Sequence, residues 1–408
     1  AHLLRGRQHW EHPSTPLTSL HKNKSHRIFF LVFFSLSITL IEPIQEHQQP
    51  HSLIHFIIVG TACEMRPSGY PENGILCIYF NQDKSRIAVG TKTGTKIYTT
   101  DPFELVHEKV GDDVSIVAMH YNTHLVAHVG AGESSQSSQR CLRMINMRRQ
   151  KEITRKNFGK AILDVQLNRD RLVVVLDTAI FIYELKTMEH LHTIEEIPEN
   201  PQGLCALPTL EGVQSLTKLV GGAFNYLAYP NNNTRGFVHI YDVVNLRAGP
   251  VIEAHNSRVS CLSFNDAGTR LATASTKGTV FRVFSMPTGE KVHEFRRGLA
   301  TNAMIYSMAF DIRTRLLCVS SDKQTIHLFK LESNVQPEQG PGWRNYLSTA
   351  VTSATDYFPT SVSEMWTQSR SFAQVTLKKY GTPNLVALSG TDHVFVLVAT
   401  SDGYLYKY

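Results

Sequence analysis

Four stretches of this chain repeat one pattern, and none of them could fold alone. They read FNQDKSRIAVGTKTGTKIYTTDPFELVHE from Phe80, LNRDRLVVVLDTAIFIYELKTMEHLHTI from Leu167, FNDAGTRLATASTKGTVFRVFSMPTGEKVHEF from Phe264 and FDIRTRLLCVSSDKQTIHLFKLE from Phe310. In the clearest copy an apolar strand ends at the turn Asn265-Asp266-Ala267-Gly268. An inner strand follows (Leu271–Ser275), then a Lys-Gly turn, then an aromatic strand (Val280–Phe284). The last two copies begin 46 residues apart, and Phe80 and Leu167 are 87 apart, one and two periods of a four-stranded propeller blade. A single unit cannot bury both faces of its sheet, so several must stack around an axis. No long amphipathic helical pattern interrupts the array, which favours an all-β propeller over a sandwich.

Two details depart from the commonest propeller. No Trp-Asp dipeptide occurs, and Tyr241-Asp242 is the nearest equivalent. The sequence also stops at Tyr408, directly after an apparent strand, Tyr404–Tyr408. Either a strand near Ile75–Phe80 helps close the ring, or the end is missing and an edge is left unpaired.

Apolar residues make up 42% of the 408 and charged residues only 19%, which suits strands buried on both faces. The net charge of +6 and pI near 8.9 fit an anionic partner without identifying one. Six cysteines lie far apart with no C-x-x-C pair, so neither a zinc site nor a redox motif is present, and they read as reduced core residues. No cofactor motif appears.

The segment before Gly74 has a different texture, rich in His, Pro and Gln. Its apolar run, Ile28 to Ile41, is short for a membrane span and closer to a signal-peptide core. The sequence begins at Ala1 rather than Met, and Glu42-Pro43-Ile44-Gln45-Glu46 offers no small-residue cleavage site. Residues 1–73 therefore read as an atypical extension, non-native or disordered, with an anchor, a signal or a buried helix as alternatives, and residues 74–408 as the propeller.

The sharpest local feature is Phe295-Arg296-Arg297-Gly298, between two units. Neighbouring side chains of an extended segment point to opposite sides, so the two arginines should serve two different clefts. A guanidinium binds phosphate oxygens bidentately and stays charged at physiological pH. The preceding unit offers His255, Ser257, Ser275, Thr279 and Arg282 beside Arg296; the following unit offers Ser320, Ser321, Lys323, Thr325 and His327 beside Arg297. The plain alternative is that the hydroxyls cap turns and each imidazole satisfies a buried backbone group.

With HNSRVSCLSFNDAGTRLATASTKGT before FRRG, SMAFDIRTRLLCVSSDKQTIHLFKLE after it, and NPQGLCALPTL upstream, the chain resembles the PROPPIN family, the WIPI-type autophagy propellers of the FRRG branch. The resemblance spans about Ile75 to Tyr408. It implies seven blades and two sites for phosphatidylinositol 3-phosphate and 3,5-bisphosphate. Arg296 with His255, Ser275, Thr279 and Arg282 would form one, and Arg297 with Ser320, Ser321, Thr325 and His327 the other.

A loop follows, residues 332–371, holding two of the three tryptophans, Trp343 and Trp366. Loops this long in compact folds are usually functional or disordered. Trp343, Leu347, Ala350, Val351, Ala354 and Phe358 form one apolar stripe at helical spacing, with poor intrinsic helix propensity around it. A helix that forms at a membrane interface fits this pattern, and the resemblance implies insertion; a hydrophobic cluster folded back on the propeller is the alternative.

No G-x-S-x-G elbow, Walker loop or telling carboxylate pair is present, and Gly130-Ala131-Gly132 lacks the rest of a dinucleotide fingerprint, which argues against an enzyme. Nucleic acid is disfavoured because aromatic and basic residues do not alternate as in RNA-binding strands. The sequence thus points to a cytoplasmic monomer, peripheral on autophagosome-precursor and endosomal membranes, that recruits autophagy conjugation or lipid-transfer proteins. Arg140 and Arg143, in a basic segment with Arg148 and Arg149, are candidate contacts for an acidic helix of such a partner. A propeller scaffold that binds peptides without lipid is the rival reading.

Overall fold

The computed structural model describes residues 56–57, 74–133, 137–210, 224–298, 301–331 and 369–408. These form seven antiparallel sheets, the blades of a β-propeller, and among them no helix occurs. Blade 1 runs Ile75–Val110, blade 2 Val114–Asn157, blade 3 Asp164–Ile194, blade 4 Tyr226–His255, blade 5 Val259–Arg296, blade 6 Ile305–Thr376 and blade 7 Asn384–Lys407. The four repeat marks of the sequence fall at one structural place. Phe80, Leu167, Phe264 and Phe310 each end the innermost strand of a blade.

The residue after each mark explains the repetition. Asn81, Asn168, Asn265 and Asp311 are buried. Asn265 Oδ1 accepts the Arg270 backbone N–H at 2.9 Å, and its Nδ2 donates to Thr269 Oγ1 (2.9 Å) and, in blade 6, to Thr314 Oγ1 (2.8 Å). Asn81 grips the Arg86 N–H and the Tyr121 carbonyl of blade 2, and Asn168 the Arg171 N–H and the Pro208 carbonyl. One short amide thus closes the first turn of a blade and clasps its neighbour.

Side-chain burial follows from the stacking. The second strand of each blade is buried along nearly its whole length, as in Arg171–Val175 and Arg270–Ser275, because both sheet faces meet a neighbour. The outermost strands Leu105–Val110 and Lys151–Asn157 alternate with solvent. The apolar core is accordingly a ring of seven clusters, each shared by two adjacent blades. Around the axis the innermost strands leave a cavity of about 280 Å³, lined by Met119, Leu167, Leu207, Phe264, Phe310 and Val386 among others.

Ile75–Phe80 does not pair with the last blade; it is the innermost strand of blade 1, paired with Arg86–Thr91. Closure between blades 7 and 1 is instead made by side chains, Ile87, Val89 and Tyr98 packing with Leu397, Ala399 and Leu405. Blade 4 takes its innermost element from an isolated bridge, Ala206 opposite Ala228. Two short segments add outer edges: Ser369–Arg370 runs parallel to Phe295–Arg296 on blade 5, and Phe56–Ile57, from the segment before Gly74, parallel to Ala373–Gln374 on blade 6. After the long loop the chain returns to blade 6 as the strand Ala373–Thr376. The insertion residues Trp343, Leu347, Val351, Phe358 and Trp366 lie outside the described residues, as does the rest of 1–73.

Replacing Asn265 by Ala removes three hydrogen bonds at a buried position and leaves the part-buried Arg270 N–H without that acceptor, so urea unfolding should show a loss of about 2–3 kcal/mol. The same change at Asn232, which caps an exposed turn, should cost less than about 1 kcal/mol.

Candidate functional site

Blade 5 sets the geometry. Across its second, third and fourth strands, Thr273 stands opposite Arg282, and Arg282 opposite Glu294. This row faces blade 4: Arg282 Nη1 donates to the Ala254 carbonyl at 2.6 Å, and Thr273 Oγ1 meets His255 Nε2 at 2.9 Å. The next row, Phe281 opposite Phe295, faces blade 6, with centroids 5.6 and 4.9 Å from the ring of Phe329. Alternation continues one step further along the fourth strand. Arg296 takes the Glu294 side, toward blade 4, and Arg297 takes the Phe295 side, toward blade 6.

On the blade 4 side, Ser275, half-buried Arg296 and buried His255 share the cleft with Arg282. Arg282 is held by Glu294, Nε to Oε2 at 2.7 Å. Ser257 lies in the connection after His255. A Cβ on Gly236 would stand 2.6 Å from the His255 Cβ and 2.7 Å from the Ser257 carbonyl, so only glycine lets the chain pass there. Thr279 gives its carbonyl to the Arg297 N–H at 3.0 Å, which ties its backbone to the second arginine.

On the blade 6 side, Arg297 Nη2 donates to the Thr301 carbonyl at 2.6 Å and Nε to the Gly278 carbonyl at 3.3 Å. Burial pulls its pKa below the usual arginine value while Asp322 of blade 6 acts the other way. Thr325, His327 and Phe329 alternate onto one face, and Phe329 shows that this face looks at blade 5. His327 Nε2 lies 3.2 Å from Thr325 Oγ1, and its Nδ1 3.1 Å from Ser371 Oγ. Ser320 and Ser321 part company for the reason the arginines do. Leu317 and Val319 pack between blades 5 and 6, whereas Cys318 packs between blades 6 and 7. Ser321 therefore shares the Arg297 side and Ser320 faces blade 7. Lys323 also turns toward blade 7, its Nζ 3.2 Å from Tyr380 Oη.

Residues that the sequence did not single out complete both clefts. Arg370 stands opposite Arg296 in the parallel pair, exposed at the outer edge of blade 5, and Ser371 anchors His327. Thr273 and Glu294 hold His255 and Arg282. No local signal marks any of them, since each acts through a partner far away in sequence. Arg143, in blade 2, is committed to Asp112 at 3.1 Å and is largely buried, while Arg140 is exposed in the turn before it. Among the described residues, no group of three or more His, Cys, Asp or Glu side chains is placed to hold a metal ion.

The fold and clefts define a seven-bladed propeller of the WD-repeat type with an arginine aimed into each of two adjacent inter-blade grooves. The family model PROPPIN matches residues 74–408, and the chain belongs to the PROPPIN family. It is 39% identical to the WD repeat domain phosphoinositide-interacting protein 2 of Xenopus laevis, over 82% of this chain and 75% of that protein. To autophagy-related protein 18 of Yarrowia lipolytica it is 37% identical, over 81% of this chain and 91% of the relative. The fold is shared with the propeller in a solved complex of KlAtg21 with the coiled-coil of AgAtg16, at TM-score 0.63, 24% identity, and coverage of 82% of this chain and 94% of that one.

Burial, and then Arg282, pull the His255 pKa down to about 4. In blade 2, burial with Arg143 and Lys109 pulls His128 down to about 3. Both imidazoles are neutral in the folded protein at pH 7. The unfolded chain takes up their protons first, so their stabilising effect is complete above about pH 6.5 and is lost as pH falls. From pH 7.5 to 5 the unfolding free energy should drop by about 2 kcal/mol per buried histidine. In urea titrations at both pH values, His128→Asn should lose about one proton of that dependence.

Proposed function

We propose that this protein is a phosphoinositide effector without catalytic activity, which docks on membranes carrying phosphatidylinositol 3-phosphate or 3,5-bisphosphate and recruits autophagy machinery there. The observation that carries the reading is the division of Arg296 and Arg297 between two grooves. On the face that each arginine takes lie hydroxyl and imidazole groups, Ser275 and His255 on one side, Thr325, Ser321 and His327 on the other. A neutral histidine can donate to a phosphate or accept from an inositol hydroxyl without adding charge. Ser257 and Thr279 would line the approaches, whereas Ser320 and Lys323, turned toward blade 7, would take no part in the Arg297 groove. Arg282, already paired with Glu294, would orient His255 and keep that carboxylate from repelling a headgroup. Two weak headgroup sites on one rigid rim gain by avidity, and the loop 332–371 with Trp343, Leu347, Val351, Phe358 and Trp366 would add a third attachment by inserting into the bilayer. Such a protein would be a monomer in the cytoplasm, peripheral on autophagosome-precursor and endosomal membranes.

A protein-binding role can coexist with lipid binding on another blade. Exposed Arg140, next to Arg143, suits an acidic helix, and the related KlAtg21 was solved with a coiled-coil. A scaffold that ignored lipid would keep this contact alone.

Liposomes with phosphatidylinositol 3-phosphate should capture the wild type, and plain phosphatidylcholine liposomes should not. Arg296→Thr with Arg297→Thr should abolish flotation with the thermal midpoint preserved; a double variant that floats like wild type would defeat the headgroup reading. Trp343→Ser with Phe358→Ser should weaken capture by curved vesicles while leaving titration with a soluble headgroup unchanged.

A further inference from the structure

Blade 6 ends its fourth strand as blade 5 does, with different chemistry. Thr325 pairs with Thr376 as Val280 pairs with Arg296. The Leu377 N–H donates to the Gln324 carbonyl at 2.7 Å, as the Arg297 N–H does to the Thr279 carbonyl. Leu377 thus occupies the place of Arg297, and Lys378-Lys379-Tyr380-Gly381 leaves the ring on the same rim. Here the chain turns Tyr380 outward, 65% exposed, with Met304 nearby at 62%.

Both side chains are large and exposed, and hydrogen bonds fix the turns that carry them. Met304 exchanges two hydrogen bonds with Asp322, its carbonyl accepting the Asp322 N–H at 2.8 Å and its N–H reaching Oδ1 at 3.1 Å. Lys323 Nζ bridges Asp322 and Tyr380 Oη, each at 3.2 Å. Tyr306 Oη pins the loop through the Gly381 carbonyl at 3.0 Å. Continuity with the Arg297 cleft is direct, since Arg297 holds Thr301, and Ala303 donates to the Lys277 carbonyl. Among the described residues of these turns, Lys277, Lys323, Lys378 and Lys379 stand with the carboxylates Asp322 and Asp402. Lys379 meets Asp402 at 2.6 Å in an exposed pair of the kind that contributes little.

We propose that Met304 and Tyr380, with Lys323 and Lys379, form an accessory contact with the anionic lipid surface around a bound headgroup, on the blade 7 side of the Arg297 cleft. The inference rests on the membrane reading above and extends it to a surface outside both headgroup grooves. An amphipathic tyrosine ring and a methionine rimmed by lysines match the headgroup layer of an acidic leaflet. A bilayer seated on the Arg297 cleft would lie along this rim.

The test is flotation of the full chain on four vesicle types: phosphatidylcholine alone, with phosphatidylserine, with phosphatidylinositol 3-phosphate, and with both. Phosphatidylserine should raise capture of the wild type about tenfold, and Met304→Ser with Tyr380→Ser should remove most of that gain. Affinity for soluble dibutanoyl phosphatidylinositol 3-phosphate should stay unchanged. Tyr380→Trp should retain the gain, which guards against a folding artefact. A wild type indifferent to phosphatidylserine, or a double variant that keeps the gain, overturns the proposal. So does an equal loss in the soluble titration, or a variant that floats normally but loses a protein partner. Failure of the headgroup reading is separately visible: phosphatidylinositol 3-phosphate would then add nothing, while a gain from phosphatidylserine that the variant lost would still support this contact.

Discussion

Each blade is a sheet with two apolar faces, and those faces are buried only by other blades. Phe281 and Phe329, among the largest fully buried side chains, meet across the boundary between blades 5 and 6 rather than inside either one. Burying such a ring contributes on the order of 2–3 kcal/mol, and all of it depends on the neighbour being present. Stability is therefore a property of the closed ring. The buried Asn265 and its counterparts Asn81 and Asn168 add a polar clasp at each of their boundaries, where a misplaced neighbour would leave an amide unsatisfied.

The same stacking creates the clefts. Two adjacent sheets diverge toward the outside of the ring, so their outer ends leave a groove whose walls come from different blades. A strand that runs along such a boundary presents alternate residues to two grooves. That is why adjacent arginines face different neighbouring blades, and why adjacent serines, Ser320 and Ser321, do the same. It also explains the division of labour around His255. Burial does most to keep its imidazole neutral and Arg282 adds to this, while Thr273 holds the ring; both residues belong to blade 5, although the ring belongs to blade 4.

Much of this was legible in the chain. The F-N, L-N or F-D step before each polar turn marked the period, and its physical cause is the buried Asn or Asp that closes the turn. The arginine pair was informative because β alternation is a local rule that needs no knowledge of distant contacts. Partner choice was less accessible. Ser320 and Lys323 look equivalent to Ser321 and Thr325 in sequence, but alternation sends Ser320 toward blade 7, and the turn between the second and third strands of blade 6 carries Lys323 to Tyr380. Arg370 and Ser371 could not be found by local reading, because the pairing of Ser369–Arg370 with Phe295–Arg296 crosses more than seventy residues of chain.

The sequence by itself determined the repeat, the strand-and-turn order within each unit, and the opposed orientation of Arg296 and Arg297. These follow from local propensity, turn chemistry and the two-residue period of an extended chain. Only the tertiary structure decided how the ring closes, with side chains from blades 7 and 1 rather than a shared strand, and which hydroxyls face which guanidinium. Those outcomes depend on which sheet lies against which, a relation between distant segments that no window of sequence contains.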